Sequence, residues 1–281
     1  MRFSIRHQTR YRYSGPVALE PHLLRFHPRE DGAQRVIEYR IDVSPVPAGR
    51  NDHIDLEGNR VTQVWFERQT SELTIDVVMQ VETLRRNAFD FLLAPMAVSL
   101  PVGHEQDLAI ARPYLQRPQA DAAVDAFAAE LSEAAGKDTL GFLNRLNLRL
   151  FNDYQQQHRD TGAPQSPAVT LQKRSGACRD LAVLFVDCCR AEGIAARFAS
   201  GYQRGNLQSE RRHLHAWPEV YLPGAGWRGF DPTHGHAVAD QHVTIAAAAD
   251  SRDTMPVTGS FTAAGVTSSL HYEVEIGVSD E

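Results

Sequence analysis

The strongest constraint on how this chain folds is a change of hydrophobic period part-way along it. Up to about residue 97, "RFSIRHQTRYRYS" and "QRVIEYRIDVSP" alternate apolar and polar residues, while "RVTQVWFE" and "ELTIDVVMQVET" are rich in β-branched and aromatic residues. A period of two sends successive side chains to opposite faces of a strand, so one face can be buried. Turn residues separate the runs at Ser14-Gly15-Pro16, Glu30-Asp31-Gly32 and Glu57-Gly58-Asn59. Short strands at this spacing predict a small sandwich or barrel. After "APMAVSLPVGHEQ" the period becomes helical. "DAAVDAFAAELSEAAG" puts Ala123, Phe127 and Leu131 on one stripe and stops at Gly136. "DTLGFLNRLNLRLFNDY" puts Leu140, Leu143, Leu146 or Asn147, and Leu150 on another, with Asp138 as its N-cap. The expected fold is α+β: a sandwich-like β-domain over residues 1–98, then a unit of helices and strands over 99–281.

The bulk composition narrows the function classes. A net charge of −6 and the absence of a long basic run exclude nucleic acid or an anionic membrane as the main partner. No run reaches the roughly 18 apolar residues of a membrane span, and the first residues lack the apolar core of a signal peptide. The cytoplasm is the expected compartment, where three cysteines stay reduced rather than forming a disulfide framework. In the β-domain, His7, His22, His27 and His53 are expected to be ordinary surface or core histidines.

Cys178 stands apart. From it to Glu192 the residues Leu181, Leu184, Phe185, Cys188 and Cys189 follow helical spacing, and Gly193 supplies a stop. Cys188 and Cys189 lie inside the apolar stripe, whereas Cys178 falls in the first turn, after Ser175-Gly176. The unpaired N–H groups and the positive dipole end at that turn favour a thiolate and can hold a developing oxyanion. A lone cysteine at a helix start is by itself more often structural.

The segment "HLHAWPEVYLPGAGWRGFDPTHG" supplies possible partners. In an extended reading, Leu214, Ala216, Pro218, Val220 and Leu222 share one face, and His213, His215, Trp217, Glu219 and Tyr221 share the other. The second face suits a cleft better than a core. "PGAG" turns the chain into a strand ending at Asp231, so a hairpin can set His215 beside Asp231 and offer a base with its orienting carboxylate to Cys178. Pro218 predicts an edge strand or a bulge here.

"GACRDLAVLFVDCCRAEGIAARFASGY" and "HAWPEVYLPGAGWRGFDPTHG", with the order Cys, His, Asp, resemble the transglutaminase-like superfamily. "YRYSGPVALEPHLLRFHPRE" and "DLEGNRV" resemble the bacterial transglutaminase-like amino-terminal domain, and "DQHVTIAAAADSRDTMPVTGSFTAAG" is similar to the closing segment of those proteins. The resemblance implies a papain-like core of helices packed on an antiparallel sheet. It implies Cys178 as nucleophile, His215 as general base and acid, and Asp231 as the residue that orients the imidazole. Trp217 is the expected wall of the substrate cleft, and the neighbourhood of Tyr154 the expected source of a second oxyanion donor. Arg252-Asp253 is a candidate brace.

The implied chemistry is acyl transfer or hydrolysis at a peptide or glutamine amide carbonyl through a thioester, on a peptide or protein substrate and with no cofactor. Two other readings stand beside it. Cys178, His213, His215, His234, His236 and His242 form a zinc set on paper, but no CxxC or HExxH spacing supports it. A catalytically silent binding module of the same fold is the alternative to an enzyme.

Overall fold

The period-two segments form strands whose burial alternates residue by residue, most regularly along Thr70–Thr83. The computed structural model describes residues 1–103, 108–159, 161–205 and 213–279. Strands β1 (Arg2–Leu19), β2 (His22–Leu24), β3 (Gln34–Ser44), β4 (Gly49–Ile54), β5 (Arg60–Trp65) and β6 (Thr70–Thr83) come first. Helices α1 (Leu108–Leu115), α2 (Ala122–Ala134) and α3 (Thr139–Asp153) follow. Next are β7 (Gln155–Gln156), α4 (Pro167–Lys173), β8 (Ser175–Gly176) and α5 (Cys178–Ala191). The central sheet strands are β9 (Ala196–Gln203), β10 (His215–Leu222), β11 (Gly226–Asp231), β12 (His236–Ala237) and β13 (His242–Ala248). Three more, β14 (Val257–Thr258), β15 (Phe261–Thr262) and β16 (Ser268–Ser279), close the chain.

The β-domain is two antiparallel sheets. In one, β1 is flanked by β6 and β16, with β3 beyond β6; the other has the order β14-β2-β5-β4. The C-terminal strands join these sheets. β16 pairs along β1 from Arg2↔Ser279 to Tyr13↔Ser268, β15 pairs with the end of β1, and β14 with β2. The C-terminal segment therefore belongs to the first domain, and the second is an insert ending near Ala248. The reason is physical: β1 would otherwise expose an unpaired edge.

The insert packs its helices on the sheet β12-β11-β10-β9-β13. α5 lies at its centre, with Leu181, Leu184, Phe185, Cys188 and Cys189 fully buried as the spacing predicts. Its C-terminal stop requires glycine: Gly193 has φ +76°, and a Cβ there would meet Pro101 Cβ at 2.8 Å. Asp138 caps α3 by accepting from Gly141 N at 2.6 Å, as expected. In α2 the buried stripe is Val124, Ala128, Leu131 and Ser132, turned from the expected Ala123–Phe127 line. α1 and α4 were not expected. α4 forms inside the polar connection because Ser166 caps it and Pro167 starts it.

β10 is a central strand, which corrects the edge reading taken from Pro218. Pairing to β11 begins only at Glu219↔Gly229, so the missing N–H of Pro218 falls just outside that ladder. β13 is one edge of this sheet, and the β-domain closes it with side-chain amides. Gln34 donates to Thr244 O and accepts from Thr244 N, both at 2.8 Å. Asn59 donates to Ala247 O at 3.0 Å and accepts from Ala247 N at 2.8 Å. Each amide stands in for a neighbouring strand and blunts the edge. Beneath them one apolar cluster runs from Phe3, Ile75 and Met79 to Tyr202, Val243 and Ile245, so the two units share a core.

Candidate active site

Cys178 begins α5. Asp180, fully buried two residues on, accepts from Ala177 N at 2.8 Å and fixes the helix start. It also accepts from Arg159 at 2.6 Å, Gln165 N at 2.8 Å and Gln165 Nε2 at 3.0 Å. One carboxylate thus ties the turn at Cys178 to the preceding loop. β7 pairs in parallel with β8, which brings Gln156 and Gln157 alongside the same turn.

His215 starts β10 and Asp231 ends β11. Carrying the Glu219↔Gly229 register onward sets Asp231 level with Trp217, two residues from His215 on the same face. The hairpin therefore joins them: His215 Nε2 donates to Asp231 Oδ2 at 2.8 Å. The other side of the imidazole hydrogen-bonds Cys178, which also takes a backbone hydrogen bond from Ala216. The three residues expected to act together are together.

The electrostatics follow from this line. Burial works against the Cys178 thiolate, but the hydrogen bond and charge of His215 outweigh it and lower the thiol pKa. Burial also opposes the imidazolium of His215. Asp231 and Cys178 reverse that and raise His215 to about 10. Asp231, although buried, is held well below the usual carboxylate range by His215, His234 and His242. Both shifts favour the thiolate–imidazolium pair over the neutral pair.

Asp231 is more heavily engaged than a dyad partner needs. Its Oδ2 also accepts from His234 Nδ1 and His242 Nε2, each at 2.8 Å. Its Oδ1 accepts from the backbone N–H groups of Thr233 at 2.9 Å and His234 at 3.3 Å. The structure thus brings together several histidines of the paper zinc set, though not around Cys178. Each of two groups, His215–Asp231–His234 and Asp231–His236–His242, has potential ligand atoms within 4.8 Å of one another.

The Cys178–His215 pair opens on a cleft of about 800 Å³ between the two domains. Its walls include Tyr11 of β1, Leu270 and Tyr272 of β16, and Arg179 beside Cys178. Tyr272 OH lies 2.7 Å from His213 Nδ1, which places His213 in the wall. Among the described lining residues there are two arginines and no carboxylate.

Two residues expected at the substrate site do not line this cleft. Trp217 shares the His215 face, but β12 and β13 cover it; it is fully buried with Ala199, Ala247 and Val238. Gly201 makes the room, since a Cβ there would meet Trp217 at 2.9 Å and the Val243 carbonyl at 2.0 Å. Tyr154 is buried in the helical core near Cys188, and burial pushes its pKa up to about 12. Nor does Arg252 brace the cleft: it is exposed and pairs with Asp250 at 2.6 Å. Glu219 is buried away from solvent on Arg197, at 2.6 Å. Sequence reading admits local bonding by Arg179-Asp180 with solvated surface as the default; it missed the burial of Asp180, the engagement of His234 and His242, and the β16 wall. Only Asp180 left a local sign, an acidic residue at the third position of a helix.

Comparison with known proteins fits this geometry. The model of the bacterial transglutaminase-like N-terminal region matches residues 3–82, and that of the transglutaminase-like superfamily matches 125–232. The two matched regions are those of transglutaminase-like proteins. A crystal structure of a candidate cysteine protease from Cytophaga hutchinsonii shares the fold of this transglutaminase-like protein. Its TM-score is 0.73 at 20% identity, covering 100% of this chain and 92% of that one. An uncharacterised protein of Mycobacterium tuberculosis is 27% identical over 92% of this chain and 87% of its own length. A protein-glutamine gamma-glutamyltransferase of Pseudomonas aeruginosa is 37% identical over 81 residues, 26% of this chain and 12% of that protein. Among the described residues of this transglutaminase-like chain, no helix is long and apolar enough to cross a membrane.

Proposed function

We propose that this protein is a cysteine amidase or peptidase that hydrolyses a peptide or glutamine amide through a thioester on Cys178. The observation that carries the reading is the hydrogen-bonded line Cys178–His215–Asp231 at the floor of the interdomain cleft. The Cys178 thiolate adds to the amide carbonyl carbon, and the carbonyl electron pair moves to oxygen. The Cys178 N–H and the dipole of α5 stabilise that oxyanion. As the carbonyl re-forms, the C–N bond breaks and His215 Nδ1–H protonates the departing amine. His215, now neutral, removes a proton from water; the hydroxide adds to the thioester and the C–S bond breaks, restoring the thiolate and imidazolium. Asp231 stays ionised throughout and keeps the ring aimed.

The cleft composition favours water over a lysine side chain as the second nucleophile. No carboxylate among its described lining residues offers to bind an ammonium group, and Arg179 and Arg159 repel one. The test is intact mass spectrometry after incubation with glutamine and peptide substrates, with and without a primary amine. The expected result is an acyl adduct on Cys178 that decays to free acid even with amine present, and no adduct in Cys178→Ala. Absence of any adduct across the panel overturns the reading; amide products that dominate with amine present reassign the second step to transfer.

A further inference from the structure

The chain carries a net charge of −6, yet no carboxylate among the described residues lines the cleft over Cys178. The charges around that cleft are unevenly compensated. A proton moving between Cys178 and His215 leaves their summed charge unchanged, since the two groups are hydrogen-bonded to each other. Asp231 is fully buried behind the imidazole and does not line the cleft. Arg159 is engaged by the buried Asp180, 2.6 Å away. That leaves Arg179.

Arg179 follows Cys178 in the first turn of α5, is half-buried and lines the cleft. Its Nη1 donates to Arg159 O at 2.8 Å and its Nη2 to Thr161 O at 2.6 Å. Both acceptors are neutral backbone carbonyls, and no carboxylate among the described residues stands beside it. The two carbonyls hold the guanidinium in place, so much of its side-chain freedom is already lost before anything binds. They also leave it with N–H donors to spare. A fixed cation with unused donors on an open cleft is suited to an anion. In a peptide the anions are carboxylates, and the planar fork of arginine matches a carboxylate. Because Cys178 and Arg179 are consecutive, that carboxylate belongs within about two residues of the reacting carbonyl.

We propose that Arg179 determines specificity by binding a carboxylate of the substrate, so that the amide attacked by Cys178 lies beside an acidic side chain or the substrate's own terminal carboxylate. The substrate class is then acidic peptides. This rests on the catalytic reading above and adds the charge of what it acts on.

The test is alkylation of Cys178, which needs a reachable thiolate but no amide hydrolysis. Three probes share an N-iodoacetyl group and differ in charge. N-iodoacetyl-glutamine amide is neutral, N-iodoacetyl-glutamate amide carries a side-chain carboxylate, and N-iodoacetyl-glutamine free acid carries a terminal one. Labelling rates are followed by intact mass spectrometry, each relative to a neutral free thiol such as mercaptoethanol. At low salt at least one charged probe should label Cys178 about fivefold or more faster than the neutral one, and the faster of the two identifies the source of the carboxylate. In Arg179→Gln the preference should fall to about twofold or less, while Arg40→Gln, exposed on β3, should leave it unchanged. A loop shift from losing the two carbonyl contacts would slow all three probes alike, so the ratio of rates separates charge from shape. A melting curve confirms that Arg179→Gln is folded. If it is not, salt decides in the unsubstituted protein: the preference should shrink between about 0.05 M and about 0.5 M salt, and an unmoved preference overturns the assignment. Equal labelling by all three probes, or a preference that survives Arg179→Gln, overturns the assignment and leaves the catalytic reading standing. Labelling of Cys178 by none of them overturns both.

Discussion

The two ends of α5 carry the same side chain in opposite chemical states. Cys178 at the first turn is pulled toward the thiolate, while burial pushes Cys188 and Cys189, within the same helix, strongly the other way. Burial opposes ionisation at all three. What separates them is an imidazole: His215 reaches the first turn, whereas Cys188 and Cys189 face Leu143, Tyr154 and the rest of an apolar cluster. The shift of Cys178 toward the thiolate comes from its imidazole partner. The largest expected effect tests that contrast directly. Cys178→Ala should lower turnover by roughly 10⁴-fold or more, and Cys188→Ala or Cys189→Ala by no more than their loss of folded protein. Equal losses in all three, measured on folded material, would remove the distinction.

The next effect acts through the carboxylate behind the imidazole. Asp231→Asn removes the charge that raises His215, and turnover should fall on the order of 10³-fold with little change in KM. The pH dependence should move with it. In the unsubstituted protein Cys178 should alkylate with iodoacetamide below the ordinary thiol range near pH 8.5, because its pKa is lowered. Activity should then persist up to about pH 10, where His215 loses its proton. The sign for stability agrees: the raised His215 pKa contributes in full below about pH 6.5, its unfolded value, and is lost as pH rises through about 10. In Asp231→Asn the alkylation profile should shift upward toward that of a free thiol; an unshifted profile would show that Asp231 only holds shape.

Much of this contrast was legible in the sequence. The apolar stripe at Leu181, Leu184, Phe185, Cys188 and Cys189 placed Cys178 outside the core face, and the turn at Pro223–Ala225 brought His215 to Asp231. Local periodicity reports such things because both partners lie in one helix or one hairpin. It could not report what covers a face. Trp217 shares the His215 side of β10 but is covered by β13, a strand paired through β9. The return of β16 to β1 joins residues at opposite ends of the chain, and the ring of histidines at Asp231 depends on loops with no period. These are long-range pairings, and a one-dimensional pattern carries no record of them.

The buried end of α5 should respond to polarity where the open end responds to charge. Cys188→Ser keeps the volume nearly constant but places a hydroxyl in an apolar cluster, which should cost roughly 1–3 kcal/mol of stability. Turnover of the folded fraction should be unchanged. Chemical denaturation followed with activity separates the two; a turnover loss without a stability loss would connect Cys188 to the site.

The smallest expected effect lies across the cleft, where the chain's last strand faces α5. Tyr272 of β16 holds His213 through its hydroxyl at 2.7 Å, and both line the cavity above Cys178. Tyr272→Phe keeps the ring in the wall and removes one hydrogen bond, worth about 1 kcal/mol. If the β-domain positions substrate, KM should rise by roughly fivefold at constant kcat, since a binding contact made equally in ground and transition states affects KM alone. A fall in kcat at constant KM would instead mean that the wall reaches the chemistry through His213. No change in either would reduce the β-domain to a cover for the core, and the first turn of α5 would then work without help from the opposite wall.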